Sequence, residues 1–252
     1  MNPNLVLVTG MHRSGTSVAA RAVMACGYAM GPNLMPGSRD NPKGFFEDLE
    51  LVAINDALMA FKGASWNTAT GAIYETNEAL TDRMSKFLDG VCEWGAGVAL
   101  KDPRFCITYP IWTNHIKTTY PELKVSIVGS VRNPLETLQS VMLRDGMSKD
   151  ATVKLWKFYN NGLLDFMMQF DYRYMTIYEK FLREPMQALE SLNHFLRGNL
   201  DLHQAKVFSE EFMTESLHRH KAPMPTFEDF DREFAGLFAQ LYANSGEAVG
   251  IT

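Results

Sequence analysis

Cysteine is scarce in this chain: Cys26, Cys92 and Cys106 are the only three in 252 residues. An odd number without CxxC spacing fits neither a disulfide framework nor a zinc site, so a reducing compartment is expected. A basic excess is also missing. Lysine and arginine number 24 against 29 aspartates and glutamates, a formal charge of -5. That balance excludes a protein whose overall surface grips nucleic acid or an anionic membrane, while leaving room for local basic pockets. Long apolar runs are absent too. Leu5-Val6-Leu7-Val8 is far shorter than a signal-peptide core and passes directly into a glycine loop. It reads as a strand, and a cytoplasmic protein without membrane insertion is expected. There is no internal repeat and no low-complexity segment. What the chain does have is 46% hydrophobic and 12% aromatic residues over its 252 positions, enough for one sizeable core and too short for two ordinary domains with linkers. A single domain over residues 1–252 is expected, with the segment 200–252 mostly helical or irregular.

Punctuation by glycine and proline divides the chain. Residues 4–9, rich in Val and Leu, suit a parallel strand buried on both faces. Residues 10–15 form a loop, and 16–26 carry Ala, Val and Met at helical spacing before Gly27. Gly31-Pro32, Pro36-Gly37, Asn41-Pro42 and Gly44 break regular structure over 31–46 and make a long loop. Apolar spacing predicts helices over 49–61 and 77–94. Residues 98–100 and 124–131 read as strands, the second followed by Arg132-Asn133-Pro134 and a helix with Pro134 in its first turn. A long helix over 148–170, a strand over 174–178, a helix over 185–196 and a short helix near 227–242 complete the pattern. Strands alternating with helices predict an α/β fold of the P-loop NTPase type, a parallel sheet flanked by helices on both faces.

The loop itself is Gly10-Met11-His12-Arg13-Ser14-Gly15-Thr16-Ser17. Its two glycines have the spacing of a phosphate loop, placed between a strand and a helix. Backbone N–H groups of such a loop point into a concavity, and the helix N-terminus adds partial positive charge, so an anionic phosphate is stabilised there. One residue is missing from the pattern. ATP and GTP hydrolases carry a lysine after the second glycine, and here that position is Thr16, with the cation moved to Arg13. A cradle without that lysine is better matched to a single 5'-phosphate than to a triphosphate. Further along, Arg132 closes the 124–131 strand and Ser140 lies within the next helix, so both can face a second, separate phosphate.

Taken together, these segments resemble the PAPS-dependent sulfotransferase family, whose donor is 3'-phosphoadenosine-5'-phosphosulfate. The family's 5'-phosphosulfate loop looks like Met11-His12-Arg13-Ser14-Gly15-Thr16-Ser17, and its 3'-phosphate motif looks like Val131-Arg132-Asn133-Pro134 with Ser140 following. Lys101-Asp102-Pro103-Arg104, Tyr178-Glu179-Lys180-Phe181-Leu182 with Pro185, and Phe195-Leu196-Arg197-Gly198 extend the likeness, which spans residues 4–198. Arg13 and the Lys-Asp-Pro segment resemble tyrosylprotein sulfotransferases and related bacterial enzymes more than cytosolic aryl sulfotransferases, whose loop carries lysine. The chain lacks the membrane anchor, lumenal context and paired cysteines of the tyrosylprotein branch, so that branch's protein substrate is not implied.

The resemblance implies a set of roles. His12, Arg13, Ser14, Gly15, Thr16, Ser17, Arg132 and Ser140 bind the donor. Arg219, in the cluster His218-Arg219-His220-Lys221, falls where many members have a basic segment closing over the 3'-phosphate and adenine; a solvated basic turn is the alternative. In-line transfer builds charge on the leaving oxygen, which Arg13 and then Lys101 would stabilise. An acceptor hydroxyl must lose its proton, and Glu47 is the candidate base, with Asp48 as the alternative. Both carboxylates could instead simply favour the N-terminus of the next helix. Lys101 and Arg104 could be structural partners of Asp102. A sulfuryl group carries less charge than a phosphoryl group, so no metal is expected. Phe45, Phe46 and Trp66, near one another in the sequence, could face a sugar, a lipid or an aromatic ring; the acceptor is expected to be a carbohydrate or small molecule, with no nucleic acid partner. The product is 3',5'-adenosine bisphosphate. The rival readings are a small-molecule or nucleotide kinase on the same fold and a non-catalytic adenosine-bisphosphate-binding protein.

Overall fold

The computed structural model describes residues 4–38, 41–94, 97–213, 222 and 231–245. Five strands form one parallel sheet: β1 (Asn4–Thr9), β2 (Ala29–Met30), β3 (Gly97–Lys101), β4 (Lys124–Val131) and β5 (Tyr172–Ile177), in the order β2-β3-β1-β4-β5. A parallel sheet needs helical crossovers, and these cover it on both sides. The two-residue alternation of β1 divides the interior. Leu5 and Leu7 enter one apolar cluster, Val6 and Val8 the other. Both faces of this strand are therefore core, which is why it reads as an unbroken apolar run.

The Val6 and Val8 face is closed by α1 (Thr16–Ala25), α7 (Tyr178–Arg183) and α8 (Pro185–Leu196), with α9 (Leu202–Lys206) and a π-turn over Val207–Phe212. The Leu5 and Leu7 face is closed by α2 (Leu49–Phe61), α3 (Glu78–Glu93), α4 (Phe105–Thr119), α6 (Lys149–Met167) and α10 (Arg232–Ala243). α5 (Pro134–Asp145) leads off β4, with Pro134 at its start and the Asn133 side chain accepting from Leu135 N. Among the described residues no helix is long and apolar enough to cross a membrane.

The expected elements are present with shifted bounds, the start of the helix expected near 227–242 lying outside the described residues, and five others appear. β5 begins at Tyr172 and ends at Ile177, so Tyr178 opens a helix instead of closing a strand. β2 is only two residues long, too short to show a period. α9 and the π-turn occupy the polar stretch after Asp201. α4 is the largest addition, fifteen residues with Pro110 inside. Its apolar and aromatic residues are buried on most sides, so no polar stripe marks it, and the internal proline argues locally against a helix. Pro110 leaves the carbonyl of Cys106 without its usual donor, and α6 presents Gly162 at that carbonyl.

Candidate active site

The carboxyl ends of β1, β3 and β4 meet an open cleft of about 600 Å³ lined by His12, Arg13, Thr16, Glu47, Lys101 and Arg132 among others. The loop after β1 is fixed from below. Ser14 Oγ donates to Met11 O at 2.7 Å and to Ser130 O at 2.9 Å, and Ser130 Oγ returns a bond to Ser14 O at 3.0 Å. The serine is thus a brace between the loop and β4. Both glycines are required by close approach. A Cβ on Gly10 would lie 2.3 Å from the carbonyl oxygen of Ser130, and one on Gly15 would lie 2.6 Å from the Tyr178 ring. Gly15 is the N-cap of α1 and supplies no capping side chain, and the first turn carries no acidic residue. No side-chain cap or carboxylate therefore competes with an anion at this helix start.

Arg13 has a left-handed backbone, φ 70, and its Nε donates to Ser140 Oγ at 2.9 Å. The phosphate loop and the helix after β4 are therefore joined by two residues expected to serve different phosphates. Arg132 is buried on the same cleft, where Nε and Nη2 donate to Glu136 Oε2 at 3.0 and 2.6 Å. Its guanidinium lies over the Tyr178 ring, 4.5 Å from the centroid. Glu136 also accepts from Ala222 N at 3.1 Å, and Asn133 Nδ2 donates to Ala222 O at 3.1 Å. The chain just after the basic cluster is anchored at the Arg132 turn. Arg219 itself lies outside the described residues.

Across the cleft, Lys101 at the end of β3 and Glu47 just before α2 form a buried ion pair of 2.5 Å. Arg104 completes a network: its Nη1 reaches Glu47 Oε2 at 3.2 Å and Asp102 Oδ1 at 3.0 Å, and its Nε reaches Asp56 at 2.7 Å. Burial works against the Arg104 charge, but Asp102, Glu47 and Asp56 outweigh it and raise its pKa. Asp102 is held by Asn55 Nδ2 at 2.8 Å; burial raises its pKa and Arg104 opposes that shift. Arg104 is thus the partner of Asp102, whereas Lys101 belongs to Glu47. Asp48, the alternative base, is the N-cap of α2, accepting from Glu50 N and Leu51 N. Its carboxylate is used in the fold, at the start of α2.

The long loop over 31–46 is tied to the phosphate loop and to the π-turn. Asn41 Nδ2 donates to Ser17 Oγ at 3.3 Å and to Gly44 O at 2.7 Å. Lys43 Nζ donates to Glu211 O at 3.1 Å and to Phe212 O. Of the three aromatics expected near an acceptor, Phe45 lines the cleft, Phe46 faces Phe212 and Trp66 packs on His12. His12 packs against Trp66 at 4.7 Å and Tyr159 at 5.6 Å between ring centroids. Burial, then Arg104, Arg144, Lys101 and Arg13, hold its pKa well below the ordinary histidine value. Arg144 is a cleft residue that the sequence reading did not single out, lying over Trp66 and paired with Asp145. The available signal was its position four residues beyond Ser140, the same face of a helix.

No protein-family model matches the chain, and neither does any curated protein sequence. Solved structures do. A sulfotransferase domain from the Synechococcus PCC 7002 olefin synthase aligns with a TM-score of 0.56 at 17% identity, covering 96% of this chain and 95% of that one. A sulfotransferase domain from the curacin biosynthetic pathway gives 0.55 at 14% identity, covering 96% and 98%. A sulfotransferase from Alicyclobacillus acidocaldarius gives 0.51 at 19% identity, covering 99% and 98%. At these identities the likeness is one of fold, and it runs the length of the chain.

Proposed function

We propose that this chain, which has the sulfotransferase fold, transfers a sulfuryl group from 3'-phosphoadenosine-5'-phosphosulfate to a hydroxyl or amine of a carbohydrate or other small-molecule acceptor, in the cytoplasm. One observation carries the reading: a phosphate cradle with Arg13 in place of the usual lysine opens onto the buried Glu47–Lys101 pair within one cleft. The glycine contacts and the uncapped first turn of α1 suit an anion held by backbone amides. In this reading His12, Arg13, Ser14, Gly15, Thr16 and Ser17 form the 5'-phosphosulfate site, and Arg132 with Ser140 takes the 3'-phosphate. Arg219 adds to that second site.

The bound donor supplies a sulfuryl group whose bond to the 5'-phosphate oxygen breaks as the acceptor oxygen bonds to sulfur. Glu47 accepts the acceptor's proton. Its charge is matched by Lys101 and Arg104. Protonation of Glu47 weakens both pairs and frees the Lys101 ammonium for the charge developing on the leaving oxygen, where Arg13 also acts. Proton removal and leaving-group stabilisation are thereby coupled through one ion pair. Arg104, anchored by Asp102 and Asp56, keeps the carboxylate in place and is a positioning residue.

Isothermal titration with 3',5'-adenosine bisphosphate, and separately with ATP and magnesium, tests this reading on the wild type and on Arg132→Ala. Binding of the bisphosphate that is lost in the variant, with none for ATP, supports it. Preference for ATP would sink it in favour of a kinase. Bisphosphate binding without turnover of any acceptor would favour a nucleotide-binding protein.

A further inference from the structure

The phosphate loop sends consecutive side chains to opposite sides. Arg13 turns to Ser140 on the donor side. His12 turns to Trp66 and Tyr159 and lines the same cleft as Glu47 and Lys101. The imidazole Nε2 is sealed from solvent and is one of four buried side-chain polar atoms among the described residues that lack a hydrogen-bond partner. Buried polar groups are almost always satisfied, so an orphan beside a cleft calls for a ligand atom. The protein groups nearby do not serve. The Tyr159 hydroxyl donates to Trp66 O at 2.9 Å, and no described group, the cations around the ring included, is in hydrogen-bond geometry with Nε2.

Charge then selects the kind of ligand atom. The groups that face the ring are Arg104, Arg144, Lys101 and Arg13, which with burial keep it neutral. Three of those cations already hold carboxylates: Lys101 with Glu47, Arg104 with Asp102, Glu47 and Asp56, and Arg144 with Asp145. Arg13 lies in the donor cradle. A second anion on this side would meet cations that are already matched, whereas a neutral imidazole pairs with a hydroxyl or carbonyl without any change in charge.

We infer that His12 Nε2 hydrogen-bonds a second, neutral polar group of the acceptor, close to the reacting hydroxyl, so that the enzyme selects diol-type acceptors over mono-hydroxyl ones. The inference rests on the sulfuryl-transfer reading and deepens its acceptor side. In the transfer the oxygen of the reacting hydroxyl bonds to sulfur, the sulfur–oxygen bond to the 5'-phosphate breaks, and its electron pair leaves with adenosine bisphosphate. The proton passes to Glu47, while the His12 contact orients the acceptor and exchanges nothing. A site built to satisfy a buried polar atom rejects a ligand that lacks the partner, because the atom is then left unpaired again.

The probes are 4-nitrocatechol, with adjacent hydroxyls, and 4-nitrophenol, with one. Wild-type kcat/KM should favour the catechol by about 10-fold or more. In His12→Phe the ratio should fall to about one, and in His12→Gln, which keeps polar atoms, part of it should return. A wild type with no preference, or a preference that survives His12→Phe, overturns the inference. A melting curve of each variant reports whether it has folded. Where the variants fail to fold or neither probe turns over, nitrogen-15 histidine spectra of the bisphosphate-bound wild type decide. The Nε2 resonance should move on adding 4-nitrocatechol and stay in place with 4-nitrophenol. Equal movement, or none with the catechol, overturns the inference, whereas failure to bind the bisphosphate is a failure of the sulfuryl-transfer reading.

Discussion

Lys101 Nζ donates to Glu47 Oε1 at 2.5 Å, with only 2% and 5% of the two side chains exposed. A pair this deeply buried is costly to desolvate, and removing one partner strands the other charge, at about 3–5 kcal/mol. Glu47→Gln leaves the Lys101 ammonium without its carboxylate and should lower the unfolding free energy by roughly 3 kcal/mol, whereas Lys101→Met leaves Glu47 paired with Arg104 and should cost less. The double variant should recover most of that loss, and all three should lack transfer activity. Urea unfolding beside a sulfuryl-transfer assay separates the two effects. Losses that simply add in the double variant would show that the pair is not coupled.

Gly15 sits at φ +93 with the Tyr178 ring against it, and that ring supports the Arg132 guanidinium. Gly15→Ala must therefore strain the backbone and push the ring, which displaces Arg132 from the cleft. The expected result is a fall of about 10-fold or more in adenosine bisphosphate affinity, with a stability cost near 1 kcal/mol. Titration calorimetry with a melting curve checks both. Unchanged affinity would separate Tyr178 and Arg132 from nucleotide binding.

The parts of the fold legible in the sequence are those written in local punctuation. Gly10 and Gly15 bracket the first loop, Asn133 and Pro134 start α5, and Asn77 and Ser148 cap α3 and α6 with their side chains. α4 was not legible because its signal is a proline and an apolar surface buried almost all round. The Glu47 network was readable only by analogy. Its members are far apart in the chain, and what unites them is that α2 lies beside the end of β3, where Asn55 also holds Asp102. The pairing of Arg13 with Ser140 likewise needs β4 beside β1. Spacing along a sequence carries no information about such neighbours.

Glu179 offers a pH prediction. Burial raises its pKa, opposed by the amide of Asn133, which donates to Oε1 at 2.7 Å, and by Arg132. A carboxyl whose folded pKa lies above its unfolded one contributes fully below the ordinary value of 4.5, and that contribution is lost as pH rises through the folded value. Glu179→Gln keeps an oxygen for Asn133 and has no charge to desolvate. Its melting temperature should exceed that of the wild type at pH 7, and the gap should close as the pH falls towards about 4.5. A gap that is constant with pH would mean that Glu179 does not titrate in this range.

Two glycines in helices test how α4 and α6 are joined. A Cβ on Gly162 of α6 would lie 2.0 Å from the Cys106 carbonyl oxygen of α4, whereas one on Gly90 of α3 would meet nothing within 4 Å. Helix propensity is the same for both, so alanine should help at each by about 0.5–1 kcal/mol if nothing else mattered. At Gly162 it must instead force the helices apart, and backbone cannot yield as a side-chain tip does. Gly90→Ala should raise the urea midpoint slightly. Gly162→Ala should lower stability by about 3 kcal/mol or more, the upper range for overpacking. α4 also follows directly from the Lys101–Arg104 segment, so displacing it should move Arg104 away from Glu47 and reduce transfer activity in the protein that remains folded. A stable and fully active Gly162→Ala would show that this contact does not set the spacing of the two helices.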